Sequence, residues 1–295
     1  MSQTPSPLRY PGGKTAIIKM IHKIIYDNGL QRCGYSEPYA GGCGLALSLL
    51  FKGYVHKLNL NDYDRSIWAF WHSILHDTER FVKKIIDTEV TLDEWYKQRE
   101  IQKNKNQAES FELGFSTFFM NRTNRSGIIL KAGVIGGFHQ SGKYKIDCRF
   151  TKKNLIDKIN RISLYKNKIS IHNLDAVDFL KKIDEEESKN NLFFIDPPYF
   201  VKGSTLYTNF YEKEDHRILY NEIIKLKSPW LLTYDNAPEI KELYESLIQY
   251  TFSLKYSAAD KKIGTELLIP SADLHIDHSE LGIHKINSID LLCTA

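Results

Sequence analysis

Two prolines between an acid and a tyrosine form the most informative short stretch of this chain. Asp196-Pro197-Pro198-Tyr199 follows the apolar run 192–195, so the acid comes at the end of a predicted strand. Consecutive prolines stiffen the turn, because each ring fixes a backbone angle and removes an amide donor. The carboxylate of Asp196 and the carbonyl of Pro197 can then accept hydrogen bonds from the two N–H groups of one amine.

Such a pair of acceptors has a chemical use on an aromatic amine. The lone pair of the adenine amine is conjugated into the ring, which makes it a poor nucleophile. Holding both N–H groups out of the ring plane would localise this lone pair on nitrogen and direct it at an electrophilic methyl group. The ring of Tyr199 offers a flat surface on which an extruded base can stack. A rigid turn with an incidental acid is the alternative.

A glycine-rich turn and a second acid precede this motif and weigh against the alternative. Residues 37–44 read EPYAGGCG, and their glycines let the backbone approach a ligand closely before a helix begins. Asp62 ends the next predicted strand 21 residues after Gly41, a spacing at which an acid reaches the hydroxyls of an adenosine ribose. Each feature alone fits many nucleotide-binding sheets. Together, the three motifs predict one ligand site at the strand ends.

The N-terminal stretch 9–15, RYPGGKT, ends like a phosphate-binding loop without completing one. The full loop requires a glycine at the position of Leu8, five residues before Gly13. Residues 1–8 contain two prolines and no apolar run, so no strand leads into the turn. A nucleoside triphosphate site is therefore excluded, and a different ligand must require the two glycines and Lys14.

The order of the predicted elements is typical of a doubly wound α/β sheet. Strands are predicted at 57–61, 168–172, 192–195, 230–234, 249–256 and 264–269, and helices at 14–27, 45–51, 152–162, 177–182, 216–226 and 238–247. Between 66 and 165 the pattern is helical and basic, with loops around a hairpin at 121–145. We expect a discontinuous domain of residues 1–65 and 166–295, interrupted by an inserted domain of residues 66–165.

Positive charge is concentrated in the predicted insert. The chain of 295 residues has a net charge of +4, but residues 121–168 hold 12 basic and 2 acidic side chains. This local excess of positive charge is typical of a surface that binds a polyanion. For residues 152–168, a solvated helical face is the alternative interpretation.

Cysteine spacing and hydropathy exclude other classes of protein. The four cysteines show no metal-ligand spacing, which weighs against a zinc nucleobase deaminase and predicts no metal. No apolar run approaches the length of a membrane span, and the N-terminus lacks a signal-peptide core. We therefore expect a cytoplasmic protein without a membrane partner.

Taken together, the motifs resemble those of the Dam-type adenine-specific DNA methyltransferases. In the family's order, the chain contains RYPGGK at 9–14, EPYAGGCG at 37–44, LNLND at 58–62, FFMNRTNRSG at 118–127 and DPPY at 196–199. The resemblance covers nearly the whole chain and implies a Rossmann-like S-adenosylmethionine-dependent methyltransferase sheet with an inserted helical and hairpin DNA-recognition domain. It also implies methyl transfer from S-adenosylmethionine to the N6 amine of an adenine rotated out of double-stranded DNA. We expect a monomer, and pairing with a restriction endonuclease is left open.

The resemblance also assigns roles to individual residues. Catalysis is implied for Asp196, Pro197 and Tyr199. Cofactor contacts are implied for Tyr10, Pro11, Gly12, Lys14, Glu37, Pro38, Tyr39, Ala40, Gly41, Gly42, Asp62, Asp175 and Asp196. The residues expected to contact DNA are Arg122, Asn124, Arg125, Ser126, Lys131 and Lys143. For any one of these six, contact with a phosphate is as good an interpretation as contact with a base.

Two other functions stay open at this point. A methyltransferase of RNA or of protein glutamine can use a similar proline-rich turn, but the basic insert and the N-terminal RYPGGK argue against it. A DNA-binding protein without catalysis is the second, and the presence of Asp196, Tyr199 and Lys14 argues against it.

Glu266, in the predicted strand 265–269, is either structural or close to the cofactor.

Overall fold

The computed structural model describes residues 4–10, 12–187, 190–201, 211–255 and 263–286, so Pro11 of the implied cofactor set lies outside the described residues. An eight-stranded sheet forms its centre. The strands are β1 (Gly34–Glu37), β2 (Lys57–Asn61), β3 (Ile169–His172), β4 (Asn191–Ile195), β5 (Trp230–Asp235), β6 (Tyr250–Lys255), β7 (Ile263–Pro270) and β8 (His284–Lys285). Their order is β3-β2-β1-β4-β5-β7-β6-β8.

The first five strands run parallel, and the last three pair antiparallel. β1 lies between β2 and β4, so the chain reverses its direction of winding between β1 and β4. The crevice at the carboxyl ends of such neighbouring strands is where open α/β sheets bind ligands. The ends of β1, β2 and β4 bring Glu37, Asp62 and Asp196 to this edge. The predicted α/β sheet is confirmed.

Eleven α-helices are assigned within the described ranges. They are α1 (Ile18–Asp27), α2 (Gly44–Phe51), α3 (Arg65–His76), α4 (Thr78–Asp87), α5 (Leu92–Lys103), α6 (Ser110–Thr123), α7 (Lys152–Ser163), α8 (Ala176–Glu187), α9 (Lys213–Ile223), α10 (Pro238–Leu243) and α11 (His278–Leu281). None of these helices combines the length and the apolar character that crossing a bilayer requires. The helix predicted from residue 14 begins as a 3₁₀ turn, Lys14–Ile17.

The segment predicted as an insert consists of α3 to α7 and their connections. An aromatic cluster of Phe70, Trp71, Phe81, Phe115 and Phe118 is fully buried among these helices. It belongs to the same continuous core as apolar side chains of β1 and β2, so the insert packs directly on one face of the sheet. The division of the chain into two domains stays a prediction.

The predicted hairpin at residues 121–145 is reduced to one bridge. Asn124 and Val134 form an isolated antiparallel pair, flanked by a 3₁₀ turn at Arg125–Gly127. Glycines and buried side-chain amides shape this loop in place of a ladder of paired strands. The expectation of a hairpin was therefore wrong in detail, although the expected loops are present.

Candidate active site

Lys14 lies at the centre of a buried polar cluster at the winding reversal. Its Nζ is 2.6 and 2.7 Å from the two carboxylate oxygens of Asp196 and 2.9 Å from Tyr199 Oη. Tyr199 Oη donates to Glu266 Oε1, and Glu266 Oε2 lies 3.5 Å from the same Nζ. The side chains of Lys14 and Glu266 are only 4% and 1% exposed. One ammonium group thus serves two carboxylates, and we call these four residues the Lys14 cluster.

Two residues of β5 hold the Asp-Pro-Pro-Tyr turn in place. Thr233 Oγ1 donates to Asp196 Oδ1 at 2.8 Å and fixes the orientation of the carboxylate. Asp235 accepts hydrogen bonds from the backbone amides of Phe200 and Val201, each at 2.9 Å. The turn is therefore restrained at its acid and immediately after its tyrosine. Neither Thr233 nor Asp235 was predicted, although both lie at the end of a parallel strand, where site residues are expected.

The glycine-rich turn after β1 is braced by Asp62 and by the insert. Asp62 Oδ2 accepts from the Gly41 amide and Oδ1 from the Asp64 amide, both at 2.9 Å. Trp71 of α3 donates from Nε1 to the carbonyl of Gly41 at 2.9 Å. Burial and the neighbouring Asp64 carboxylate raise the pKa of Asp62 to about 7. A ligand whose hydroxyl groups donate to this carboxylate would relieve the cost of ionising it.

Tyr10 packs directly against the same turn. A Cβ atom added to Gly41 or to Gly42 would come within 2.7 Å of Tyr10 atoms, and Gly41 has a positive φ of 46°. Only glycine at these two positions leaves room for Tyr10, which explains why the N-terminal motif and the glycine-rich motif occur together. Gly12 also has a positive φ, and its carbonyl lies 3.4 Å from Lys14 Nζ.

Glu37, the last residue of β1, is a buried acid. Burial raises its pKa to about 8, and the negative charge of Asp196 contributes, whereas the hydrogen bond from Tyr35 opposes the shift. Tyr35 Oη donates to Glu37 Oε1 at 3.1 Å. A cationic group bound nearby would favour the ionised carboxylate.

The other implied cofactor residues surround the same crevice. Asn61 ties two of its loops together, since its side-chain amide donates to the carbonyls of Pro38 and Leu174 at 3.0 and 3.1 Å. Asp175 is exposed at the start of α8, where its Oδ1 accepts from the Val177 amide at 2.8 Å. The remaining two, Ala40 and Tyr39, are buried and half-buried, and Tyr39 Oη is 2.7 Å from Tyr211 Oη.

The residues expected to contact DNA separate into two groups. Arg125, Ser126, Lys131 and Lys143 are exposed on the loop after α6. Asn124, in contrast, is fully buried, with its Oδ1 accepting from Trp95 Nε1 at 2.7 Å. Its amide nitrogen donates to the carbonyls of Ile128 and Ile129 at 2.9 and 2.7 Å. Asn124 therefore shapes the loop from inside, and this geometry does not favour contact with a base edge.

Arg122 is also engaged within the protein. Its Nε donates to the Arg149 carbonyl at 2.7 Å and its Nη1 to the Pro7 carbonyl at 3.4 Å. Burial lowers its pKa to about 10, and the positive charges of Arg9 and Arg149 add to the effect. The three arginines form a concentrated positive patch that suits a phosphate better than a base edge.

Asn121, which was not predicted as a site residue, joins the loop after α6 to the N-terminal motif. Its Oδ1 accepts from the Arg9 amide, and its Nδ2 donates to the carbonyls of Arg9 and Gly127, all at 2.8 Å. Gly127 has a φ of +78° and lies against the Arg9 carbonyl. The segment that leads to Lys14 is thereby fixed to the candidate DNA-contacting loop.

Gly127→Ala is expected to destabilise the protein by about 2–3 kcal/mol, because the methyl group would overlap the Arg9 carbonyl and the backbone is left-handed. Urea unfolding of the variant measures the loss. Gly133→Ala is the matched control in the same loop, since Gly133 has open space around it and no positive φ. Equal stability of the two variants would show that the contact between Gly127 and Arg9 is not rigid.

Comparisons with known proteins found matches that cover most of the chain. The family model described as D12 class N6 adenine-specific DNA methyltransferase matches residues 10–263. The Type II methyltransferase M.MjaIII of Methanocaldococcus jannaschii is 26% identical over 281 residues, which cover 87% of this chain and 91% of that protein.

Solved structures resemble the chain only weakly. A protein classed as an RNA methyltransferase, PH1948 from Pyrococcus horikoshii, has a TM-score of 0.41 at 9% identity, with coverage of 95% of this chain and 89% of the other. Protein LPL1258 from Legionella pneumophila has a TM-score of 0.36 at 12% identity, with coverage of 92% and 90%. Neither likeness bears on the activity of this chain.

Proposed function

Because this chain belongs to the D12 class N6 adenine-specific DNA methyltransferase family, we propose that it transfers a methyl group from S-adenosylmethionine to adenine N6 within a specific sequence of double-stranded DNA. The observation that supports this most directly is the orientation of Asp196. Lys14 and Thr233 hold its carboxylate at the end of β4, next to Tyr199 and beside the ends of β1 and β2.

The donor set of the crevice fits S-adenosylmethionine. When bound, this cofactor supplies an electrophilic methyl group on a positively charged sulfur. The carboxylate of Asp196, which is 21% exposed, lies at this crevice and would attract the positive charge of the sulfonium. Glu37 is a further buried acid for a cationic amino group, and Asp62 is a carboxylate for the ribose hydroxyls. Tyr10, Gly41 and Gly42 would form the wall of the site.

Asp196 and Pro197 are the proposed acceptors for the two N–H groups of adenine. Asp196 keeps a fixed orientation without its neighbours having to move, which is the condition for effective electrostatic catalysis. Tyr199 is 5% exposed, so the surface that it offers an extruded base is narrow and rigid. The amine of a stacked adenine is out of reach of this turn, and the base must rotate out of the duplex.

The loop after α6 and the arginine patch are the proposed DNA-contacting surface. Removing Arg125, Lys131 and Lys143 together is expected to weaken binding to a duplex and to reduce its salt dependence, by about 0.9 in the logarithmic slope for each lost phosphate contact. Fluorescence anisotropy at several salt concentrations measures both effects. A variant lacking Lys181, Arg217 and Lys225, three exposed cations near α8 and α9, is the matched control. Equal weakening in both variants would place the DNA elsewhere.

One experiment tests the proposed function as a whole. The protein is expressed in a host that lacks adenine methylation, and long-read sequencing of the host DNA detects N6-methyladenine. Modification confined to one short sequence supports the proposal and identifies that sequence. Purified protein incubated with methyl-labelled S-adenosylmethionine and either DNA or RNA separates the alternatives. Label in RNA alone, or cofactor binding without transfer to any DNA, would contradict the proposal.

The biological setting that we propose follows from the curated relative. M.MjaIII is a Type II methyltransferase, which suggests that this enzyme modifies DNA in a restriction-modification system beside a cognate endonuclease. We further propose that the protein acts as a monomer in the cytoplasm, where its DNA substrate is found. Sedimentation of the purified protein tests whether it is a monomer.

A further inference from the structure

Residues 6–10, which we call the strap, lead into the Lys14 cluster and are attached to the insert by side chains. The strap belongs to no helix or strand. Arg122 of α6 donates to the Pro7 carbonyl at 3.4 Å. Lys158 of α7 donates to the Ser6 carbonyl at 3.1 Å. Because such side-chain contacts hold the backbone in place of a strand ladder, local detachment of the strap is the motion that they must oppose.

Asn121 of α6 makes the most extensive of these attachments. Its side-chain amide pairs with both backbone groups of Arg9, accepting from the amide and donating to the carbonyl, each at 2.8 Å. The same nitrogen donates to the carbonyl of Gly127 in the loop after α6, also at 2.8 Å. Asn121 is 1% exposed, so water has little access to replace these contacts. One side chain therefore fixes the strap to the loop that is proposed to contact DNA.

The other end of the strap is part of the proposed cofactor site. Tyr10 lies so close to Gly41 and Gly42 that a Cβ atom at either glycine would come within 2.7 Å of it. Trp71 of α3 holds the same turn from the opposite direction, since its Nε1 donates to the Gly41 carbonyl at 2.9 Å. Detachment of the strap would therefore withdraw Tyr10 from a turn that stays in place, and the cofactor would lose one wall of its site.

Like charges gather where the strap meets the insert. Arg9, Arg122 and Lys158 are half-buried there, and Arg149 beside them is exposed, so an anion can approach from solvent. Burial lowers the pKa of Arg9, and the positive charge of Arg149 adds to the effect. Burial also lowers the pKa of Lys158, with a contribution from Arg122. Repulsion among these cations opposes the attachment of the strap, and a DNA phosphate between them would relieve it.

We propose that a DNA phosphate bound among these cations and S-adenosylmethionine bound against Tyr10 strengthen each other's binding through the strap, which Asn121 positions. The inference rests on the proposed function and adds a linkage between its two ligands. Both ligands favour the attached strap over the detached one, so each reduces the free energy that the other must supply. Asn121 touches neither ligand and is a positioning residue. Reading of bases plays no part in the linkage.

Calorimetric titration with S-adenosylhomocysteine, which has no methyl group to transfer, measures this linkage without turnover. The titration is done with and without a saturating short duplex of random sequence. The wild-type protein is expected to bind S-adenosylhomocysteine about tenfold more tightly when the duplex is present. Asn121→Ala should reduce this factor to near one. Arg9→Met should reduce it as well, because it removes a cation but keeps the backbone groups that Asn121 contacts.

Asn28→Ala is the matched control for the loss of a buried clamp. Asn28 pairs with the backbone of His275 in the same way, accepting from its amide at 2.7 Å and donating to its carbonyl at 2.8 Å. His275 follows the end of β7 that pairs with the start of β5, at the edge of the sheet opposite the crevice. Asn28→Ala should therefore keep the tenfold factor even where it lowers stability.

The outcomes distinguish this inference from the proposed function. A protein that fails to bind S-adenosylhomocysteine under both conditions, or fails to bind the duplex, contradicts the proposed function. Binding of both ligands with one unchanged affinity for S-adenosylhomocysteine overturns the linkage alone. A wild-type factor retained in Asn121→Ala, or lost equally in Asn28→Ala, overturns the role of Asn121. If Asn121→Ala does not fold, a factor that Arg9→Met leaves unchanged overturns the route through the strap.

Discussion

Asp196→Ala is expected to reduce methyl transfer to DNA by a factor of at least about 10³ while DNA affinity changes only a few-fold. The substitution removes one of the two proposed acceptors for the adenine amine and leaves the exposed cations of the loop after α6 intact. Single-turnover transfer of labelled methyl groups gives the chemical rate, and anisotropy gives the affinity for the duplex.

Two further variants sharpen this prediction. Asp196→Asn keeps one acceptor oxygen with a similar shape but loses the charge, so an intermediate rate is expected. Asp184→Ala is the matched control, because Asp184 is a buried acid outside the crevice whose oxygens accept from the amides of Lys227 and Ser228. It should lower stability without changing transfer per folded molecule. Full activity of Asp196→Ala would remove this residue from the reaction.

The parts of the fold that the sequence predicts are those with strong local signals. The strand 57–61 is predicted with its observed bounds because two leucines alternate with polar residues, which is the period of a β-strand. The prolines in 196–199 restrict the backbone, and the glycines in 37–44 allow it unusual angles. Both predict turns independently of the rest of the chain. Such features depend on a few neighbouring residues, so they can be predicted directly from the sequence.

The remaining features depend on contacts between distant parts of the chain. β1 has the sequence GYSE and only one apolar side chain, so its burial between two parallel strands leaves no periodic signal. Asn124 and Arg125 are adjacent polar residues, yet one is fully buried and the other exposed. The pairing of Tyr199 with Glu266 joins residues 67 positions apart. No local pattern could have assigned Glu266 to the Lys14 cluster.

Lys14→Met is expected to lower the free energy of unfolding by on the order of 3 kcal/mol, because it removes the ammonium group of a buried ion pair with Asp196. Asp196 loses a cation at 2.6 Å, and Glu266, which is 1% exposed, loses one at 3.5 Å. Urea unfolding of the variant and of the wild-type protein measures the loss.

A second substitution identifies which charge is responsible. Lys14→Met combined with Glu266→Gln should recover part of the stability that the single variant loses, since both ends of the buried contact between Lys14 and Glu266 become neutral. Lys23→Met, which removes a surface lysine paired with Asp27 and Glu280, is the control and should change stability little. If the double variant is no more stable than Lys14→Met, Glu266 does not carry the charge that Lys14 compensates.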